Sequence, residues 1–202
     1  MVWLASCHRA APEAGTPVLD VRPLASFAAQ RMVVTPTSHV RAGDTLGWVQ
    51  SLGGAPAAAR QLDSAIARVL EGRGLAGRWI LPADLARAYE RNRTYATDPY
   101  QQASAAVRVP AFVTGARYGE PLSSQLRTMV ALHEDARFVI MPIELRFERI
   151  GTQVRGVLRT ALVDPRTAEA LWVGDVTGDA ATAAASALGS VASRFADLFA
   201  AP

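Results

Sequence analysis

The residues of this 202-residue chain that could perform chemistry are few and lie far apart. A serine–histidine–aspartate relay would need Ser38, His39 and Asp44, which share one long loop, but no Gly-x-Ser-x-Gly elbow accompanies them. A metal centre at His133 would need ligands on one helix face, and the acidic residues directly after it diverge around a helix. All 21 basic residues are arginine, which excludes Schiff-base and Walker-type lysine chemistry. We therefore expect no enzyme activity, no metal site and no cofactor.

The single cysteine, Cys7, follows the apolar lead Met1–Leu4 and the small residues Ala5 and Ser6. The order leucine, small, small, cysteine resembles the lipobox of bacterial lipoproteins, in which a signal peptide is removed and the cysteine is acylated. Only six residues precede Cys7, whereas a signal peptide has a charged start and an apolar core of roughly 7–15 residues. Either the true start lies upstream or the match is accidental. The resemblance implies lipidation of Cys7, palmitate included, on the periplasmic side of the envelope. Because His8 and not an aspartate follows the cysteine, the outer membrane is favoured over the inner.

Composition divides the chain into a remnant of the lipoprotein signal (1–7), a tether (8–26) and a single domain (27–202). The tether is rich in alanine and proline and would span on the order of 25 Å as a coil. Half of the residues are apolar, but none of the segments reaches the ~20 apolar residues of a membrane span. Membrane attachment would therefore come from lipid. The net charge is only +3 and the arginines are scattered, so we expect no nucleic-acid partner.

Hydrophobic periodicity predicts an α/β domain with helices packed on a mixed sheet of about five strands. The last three strands would form an antiparallel meander. The predicted strands cover 31–35, 78–81, 138–147, 154–163 and 168–176. The predicted helices cover 57–71, 83–91, 99–107, 121–137 and 180–200.

Three local patterns resemble the N-terminal α/β domain of the Tol-system protein TolB. They are RMVVTP (31–36) leading to a helix that ends in LEGRG, LPADLARAYERN (81–92), and the hairpin sequence VRGVLRTALVDPRTAEALWVGDVTGD (154–179). The same fold occurs in the curli-secretion lipoprotein and in lipoprotein activators of penicillin-binding proteins. The resemblance implies a non-catalytic envelope protein that serves as an accessory or scaffold subunit of a larger membrane-associated assembly. A cell-wall, secretion, Tol-type or bioenergetic complex would fit equally.

One polar stretch is too aromatic for an idle loop, and arginine and tyrosine are favoured at protein interfaces. The residues that we predict to bind a partner protein are Arg87, Arg91, Arg93, Tyr95, Asp98 and Tyr100, with Trp48 as either a core plug or an exposed anchor. The loop 37–56 supports two alternatives. One is a soluble hydrolase that uses His39, and the other is a small-anion-binding module at the glycines before the first long helix.

Overall fold

The structure is a computed structural model that describes residues 22–42, 46–133 and 136–200. Cys7 and positions 8–21 of the predicted tether lie outside the described residues, as does Asp44. Leu24 is 1% exposed in the core, and its amide donates to the carbonyl of Leu198. Packing of the domain therefore includes residues before position 27, the predicted boundary.

One mixed sheet forms the centre of the molecule, which confirms the predicted fold class. Its strands are β1 (Met32–Val34), β2 (His39–Val40), β3 (Phe138–Ile150), β4 (Gln153–Asp164) and β5 (Glu169–Thr177). The order is β1-β3-β4-β5, and β2 pairs with β3 beyond the end of β1. The pairs β1–β3 and β2–β3 are parallel, whereas β3, β4 and β5 form the predicted antiparallel meander.

Helices cover both faces of the sheet because each has one apolar side. They are α1 (Trp48–Ser51), α2 (Ala55–Gly72), α3 (Pro82–Arg91), α4 (Leu122–Ala131) and α5 (Ala184–Asp197). On α2 the buried residues Ala58, Leu62, Ile66 and Leu70 recur every four positions and pack with α5 on one face. Helices α3 and α4 contribute to a second core on the opposite face.

Three predicted elements differ from the structure. The segment 78–81 forms an isolated parallel bridge, between Ile80 and Val33, in place of a strand, so the fifth strand is β2. This strand lies in the predicted loop 37–56, because the chain returns to β3 after the interruption at Pro36. The predicted helix 99–107 is two short 3₁₀ turns. The long helix predicted over 121–137 ends at Ala131.

Candidate binding surface

Three adjoining clefts border helix α2 on the outside of the molecule. The first lies between α2 and α5 and measures about 430 Å³. The second, about 350 Å³, lies between α2 and the start of α3, and the third, about 270 Å³, lies between the start of α2 and β2. Arg60 lines all three clefts, and Tyr100 lines the second and third. The surface around Arg60 and Tyr100 is therefore concave over a wide area.

Topology explains why the second and third clefts form at this place. The parallel bridge puts Ile80 beside β1. Helix α2 follows β1 and packs on one face, whereas α3 follows Ile80 and packs on the other. Connections that leave neighbouring parallel strands toward opposite faces open a crevice at the carboxyl ends of those strands. Thr37, just after β1, and Leu81, just after Ile80, line these clefts.

Asp63 fixes α2 against the end of β1. Its Oδ1 accepts hydrogen bonds from the Thr37 amide at 2.8 Å and from the Thr37 hydroxyl at 2.6 Å. Its Oδ2 is buried and has no hydrogen-bond partner within the described parts of the chain. Burial raises the pKa of Asp63 to about 6, although the two hydrogen bonds from Thr37 act in the opposite direction. The carboxyl group thus holds two segments together and is itself poorly satisfied.

Tyr100 presents a neutral phenol to the clefts at neutral pH. Half of this residue is exposed. Partial burial raises its pKa, and the nearby negative charge of Asp63 raises it further, whereas Arg60 lowers it. Arg60, Asp63 and Tyr100 also line the second cleft together. Asp98 positions Tyr100, because its Oδ1 accepts the Tyr100 amide at 2.9 Å.

The structure brings only part of the predicted partner-binding set together. Arg87 shares the second cleft with Tyr100 and pairs with Asp84. Tyr95 is exposed but lines none of the three clefts, and its hydroxyl donates to the side chain of Asn92.

The other predicted binding residues also lie away from these clefts. Arg91 is exposed at the end of α3, and Arg93 pairs with Glu90 beside the ring of Tyr89. Trp48 is half-buried in α1 and packs edge-on against Phe147 at 5.5 Å, as expected of a core plug.

Sequence reasoning missed Arg60, Asp63 and Thr37. A signal for Asp63 exists, because a carboxylate stands next to Leu62 on a helix whose buried side runs through that position. An acidic residue on such a side indicates a buried polar contact. No comparable local signal marks Arg60, since its role depends on how α2 meets three other segments.

The two alternatives based on the loop 37–56 gain no support from the geometry. Ser38 and His39 are consecutive in extended chain, so their side chains point to opposite sides. His39 lies near Glu144, with 4.0 Å between Nε2 and Oε2. Burial and the charge of Arg108 lower the pKa of His39. The amides of Gly53 and Gly54 donate to carbonyls of Gln50 and Val49, so they do not face an anion.

Across 22–42, 46–133 and 136–200, no three histidine, cysteine, aspartate or glutamate side chains group as metal ligands would. None of the helices in this part of the chain has the length and apolar character needed to cross a bilayer.

Comparisons with known proteins return structural likenesses only. No protein-family profile matches the chain, and no curated protein matches it. Among solved structures, a PelC dodecamer from Paraburkholderia phytofirmans is similar at 18% identity, over 86% of this chain and 89% of that chain, with a TM-score of 0.36. A point variant of the same dodecamer is similar at 15% identity, over 85% and 88%, with a TM-score of 0.35. Likenesses at this level carry no inference about the role of this chain.

Proposed function

We propose that this protein is a non-catalytic, lipid-anchored subunit of a larger assembly at the cell envelope. Acyl chains on Cys7 would hold it to the membrane, and the folded domain would bind partner proteins. The pattern Leu4–Cys7 and the alanine- and proline-rich segment behind it support the anchor. Two or more acyl chains make such attachment stable.

The concave surface around Arg60 and Tyr100 is the observation that carries the protein-binding part of the proposal. Tyrosine and arginine dominate the energetics of protein interfaces because they combine a large contact area with polar ends. Here both residue types lie where three clefts adjoin, and half of Tyr100 is exposed. Hot-spot residues occupy pockets near the centre of an interface and become buried there when the partner binds.

A pair of tyrosine substitutions tests this surface. Tyr100→Ser removes the ring between two clefts, and we expect it to weaken capture of partner proteins from native membranes by more than about tenfold. Tyr95→Ser is the matched control, because it removes an even more exposed ring that lines none of the clefts. Thermal unfolding of both variants would verify the fold. Equal capture by the two variants would refute the assignment of this surface.

The anchor is tested separately at the amino terminus. We expect mass spectrometry of the native protein to find a chain that begins at Cys7 and carries acyl groups. A Cys7→Ser variant should leave the membrane fraction. Native protein with an unmodified Cys7, recovered free of membranes, would contradict the anchored part of the proposal.

A further inference from the structure

The cleft between α2 and α5 is a groove, and the C-terminal ends of the two helices are joined beyond it. There, Arg73 pairs with Asp197, with 2.8 Å between Nη1 and Oδ1. Arg73 also donates to the carbonyl of Ser193 at 3.2 Å. Residues 57–68 of α2 and 185–189 of α5 line the groove. The two helices therefore run in roughly the same direction, and the groove extends along most of α2 beside the N-terminal part of α5.

This groove is electropositive. Arg60 and Arg68 stand on its α2 wall, and neither forms an ion pair with a described residue. The described lining of the groove includes no aspartate or glutamate. Both helices begin at the same end of the groove, and neither has an acidic residue in its first turn. The positive ends of the two helix dipoles thus add positive potential at the end of the groove near Ala57 and Ala185.

The floor of the groove is apolar, and most of its side chains are small. Ala65 and Leu188 are buried in it, and Ala185 and Gly189 are exposed. A Cβ atom added at Gly189 would meet nothing within 4 Å. A glycine inside a helix costs about 0.5–1 kcal/mol relative to alanine, so packing within the domain gives no reason for this residue. A glycine at such a position allows the backbone of another segment to approach closely.

We infer that the α2–α5 groove binds a helix of a partner protein that carries carboxylates. The occupant lies on Ala185 and Gly189 and pairs its carboxylates with Arg60 and Arg68. These arginines are eight residues apart, about 12 Å along the axis of α2. The partner helix therefore carries acidic residues about two turns apart on one side. This inference rests on the proposed protein-binding function and names the chemistry of the partner.

Site-specific crosslinking in native membranes tests the occupant. A photoreactive phenylalanine at Gln61, an exposed residue of the α2 wall, places the probe beside the occupant without filling the floor, and the same probe at the exposed Ser186, which lines none of the clefts, is the control. We expect crosslinking at 61 only. The crosslinked peptide, sequenced by mass spectrometry, should carry aspartate or glutamate residues about eight positions apart, as two turns of a helix require. A second copy of this chain as the crosslinked species, a peptide without such carboxylates, or no crosslink at 61 would each overturn the inference.

Substitutions at the floor and wall provide an independent readout. Gly189→Ala and Gly189→Leu both favour the helix, but only leucine fills the groove. We expect the leucine variant to reduce the crosslink at 61 by more than about tenfold and the alanine variant to retain it. Charge reversal at Arg60 and Arg68 should reduce the same crosslink. If these variants leave it unchanged while Tyr100→Ser abolishes partner capture, the groove inference fails and the proposed function stands. If none of the variants loses partner capture, the groove inference and the proposed function are both contradicted.

Discussion

Replacement of Asp63 by asparagine isolates the effect of one buried carboxyl group on stability. Asparagine keeps an oxygen that accepts both hydrogen bonds from Thr37, and it removes the charge. In the folded protein, burial raises the pKa of Asp63 from its ordinary value of 3.8 to about 6. The unfolded chain exposes this group, so there it ionises near the ordinary value. Between these two pH values the folded state holds a proton that the unfolded state has lost.

The sign of the pH effect follows from this proton difference. Because the folded state binds more protons between pH 3.8 and about 6, the free energy of unfolding decreases as the pH rises through that window. The difference between the two pKa values corresponds to about 3 kcal/mol. Wild-type protein therefore loses about 2.5 kcal/mol of this amount relative to Asp63→Asn as the pH rises from 4 to 7, because the unfolded chain is already partly ionised at pH 4. A constant offset between the proteins, from the unpartnered amide group of asparagine, cancels in the comparison.

Urea unfolding of both proteins at several pH values, followed by tryptophan fluorescence, measures the difference. We expect the stability of wild type minus that of Asp63→Asn to fall by about 2.5 kcal/mol between pH 4 and 7. Glu120→Gln is a control of opposite sign. Hydrogen bonds from Ser123 and Ser124 lower the pKa of Glu120 to about 2, so the advantage of wild type there is lost as the pH falls. A difference for Asp63→Asn that does not change with pH would show that water reaches Oδ2.

Three further substitutions test the surroundings of this group and the limits of the domain. Thr37→Val removes the hydroxyl that donates to Asp63. It should lower the free energy of unfolding by about 2 kcal/mol at pH 8 but by only about 1 kcal/mol at pH 4.5, where the acceptor is neutral. Equal losses at the two pH values would contradict the pKa assignment. Gly156→Ala puts a methyl group 2.7 Å from Cγ2 of the buried Val191 and should destabilise by about 1–3 kcal/mol in denaturant unfolding. Leu24→Ala empties a fully buried position and should cost about 2–5 kcal/mol in the same assay; an unchanged midpoint would place residue 24 outside the cooperative domain.

Sequence periodicity predicted the long elements well because their signals are local. The apolar spacing of α2 is a property of that helix alone, and the turn at Asp164 is visible where β4 ends. The short strand β2 could not be predicted in this way. It holds only His39 and Val40, and it exists because β3 continues past the end of β1 and offers Glu144 and Leu145 as partners.

The binding surface was only partly predictable, for the same physical reason. A tyrosine in a polar stretch indicates an interface, and this pattern identified Tyr95 and Tyr100 alike. The two tyrosines differ in their tertiary surroundings. Tyr100 lines two of the clefts beside α2, whereas Tyr95 lies in a turn and lines none of the three. Arg60 gave no signal at all, because an exposed arginine on a helix is ordinary until the neighbouring segments make the surface concave.

Asp63 connects the stability of the domain with the shape of this surface. Its two hydrogen bonds attach α2 to Thr37, and α2 carries Arg60 into every cleft. An apolar residue at position 63 would avoid the cost of the buried charge, but it would leave the Thr37 amide without its acceptor and would release α2 from the end of β1. Loss of one partner from a buried hydrogen bond costs about 1–3 kcal/mol, which is comparable with the cost of the buried charge. Asp63 destabilises the domain at neutral pH but fixes the position of α2, on which all three clefts depend. This structural role explains why a buried carboxyl group stands at position 63.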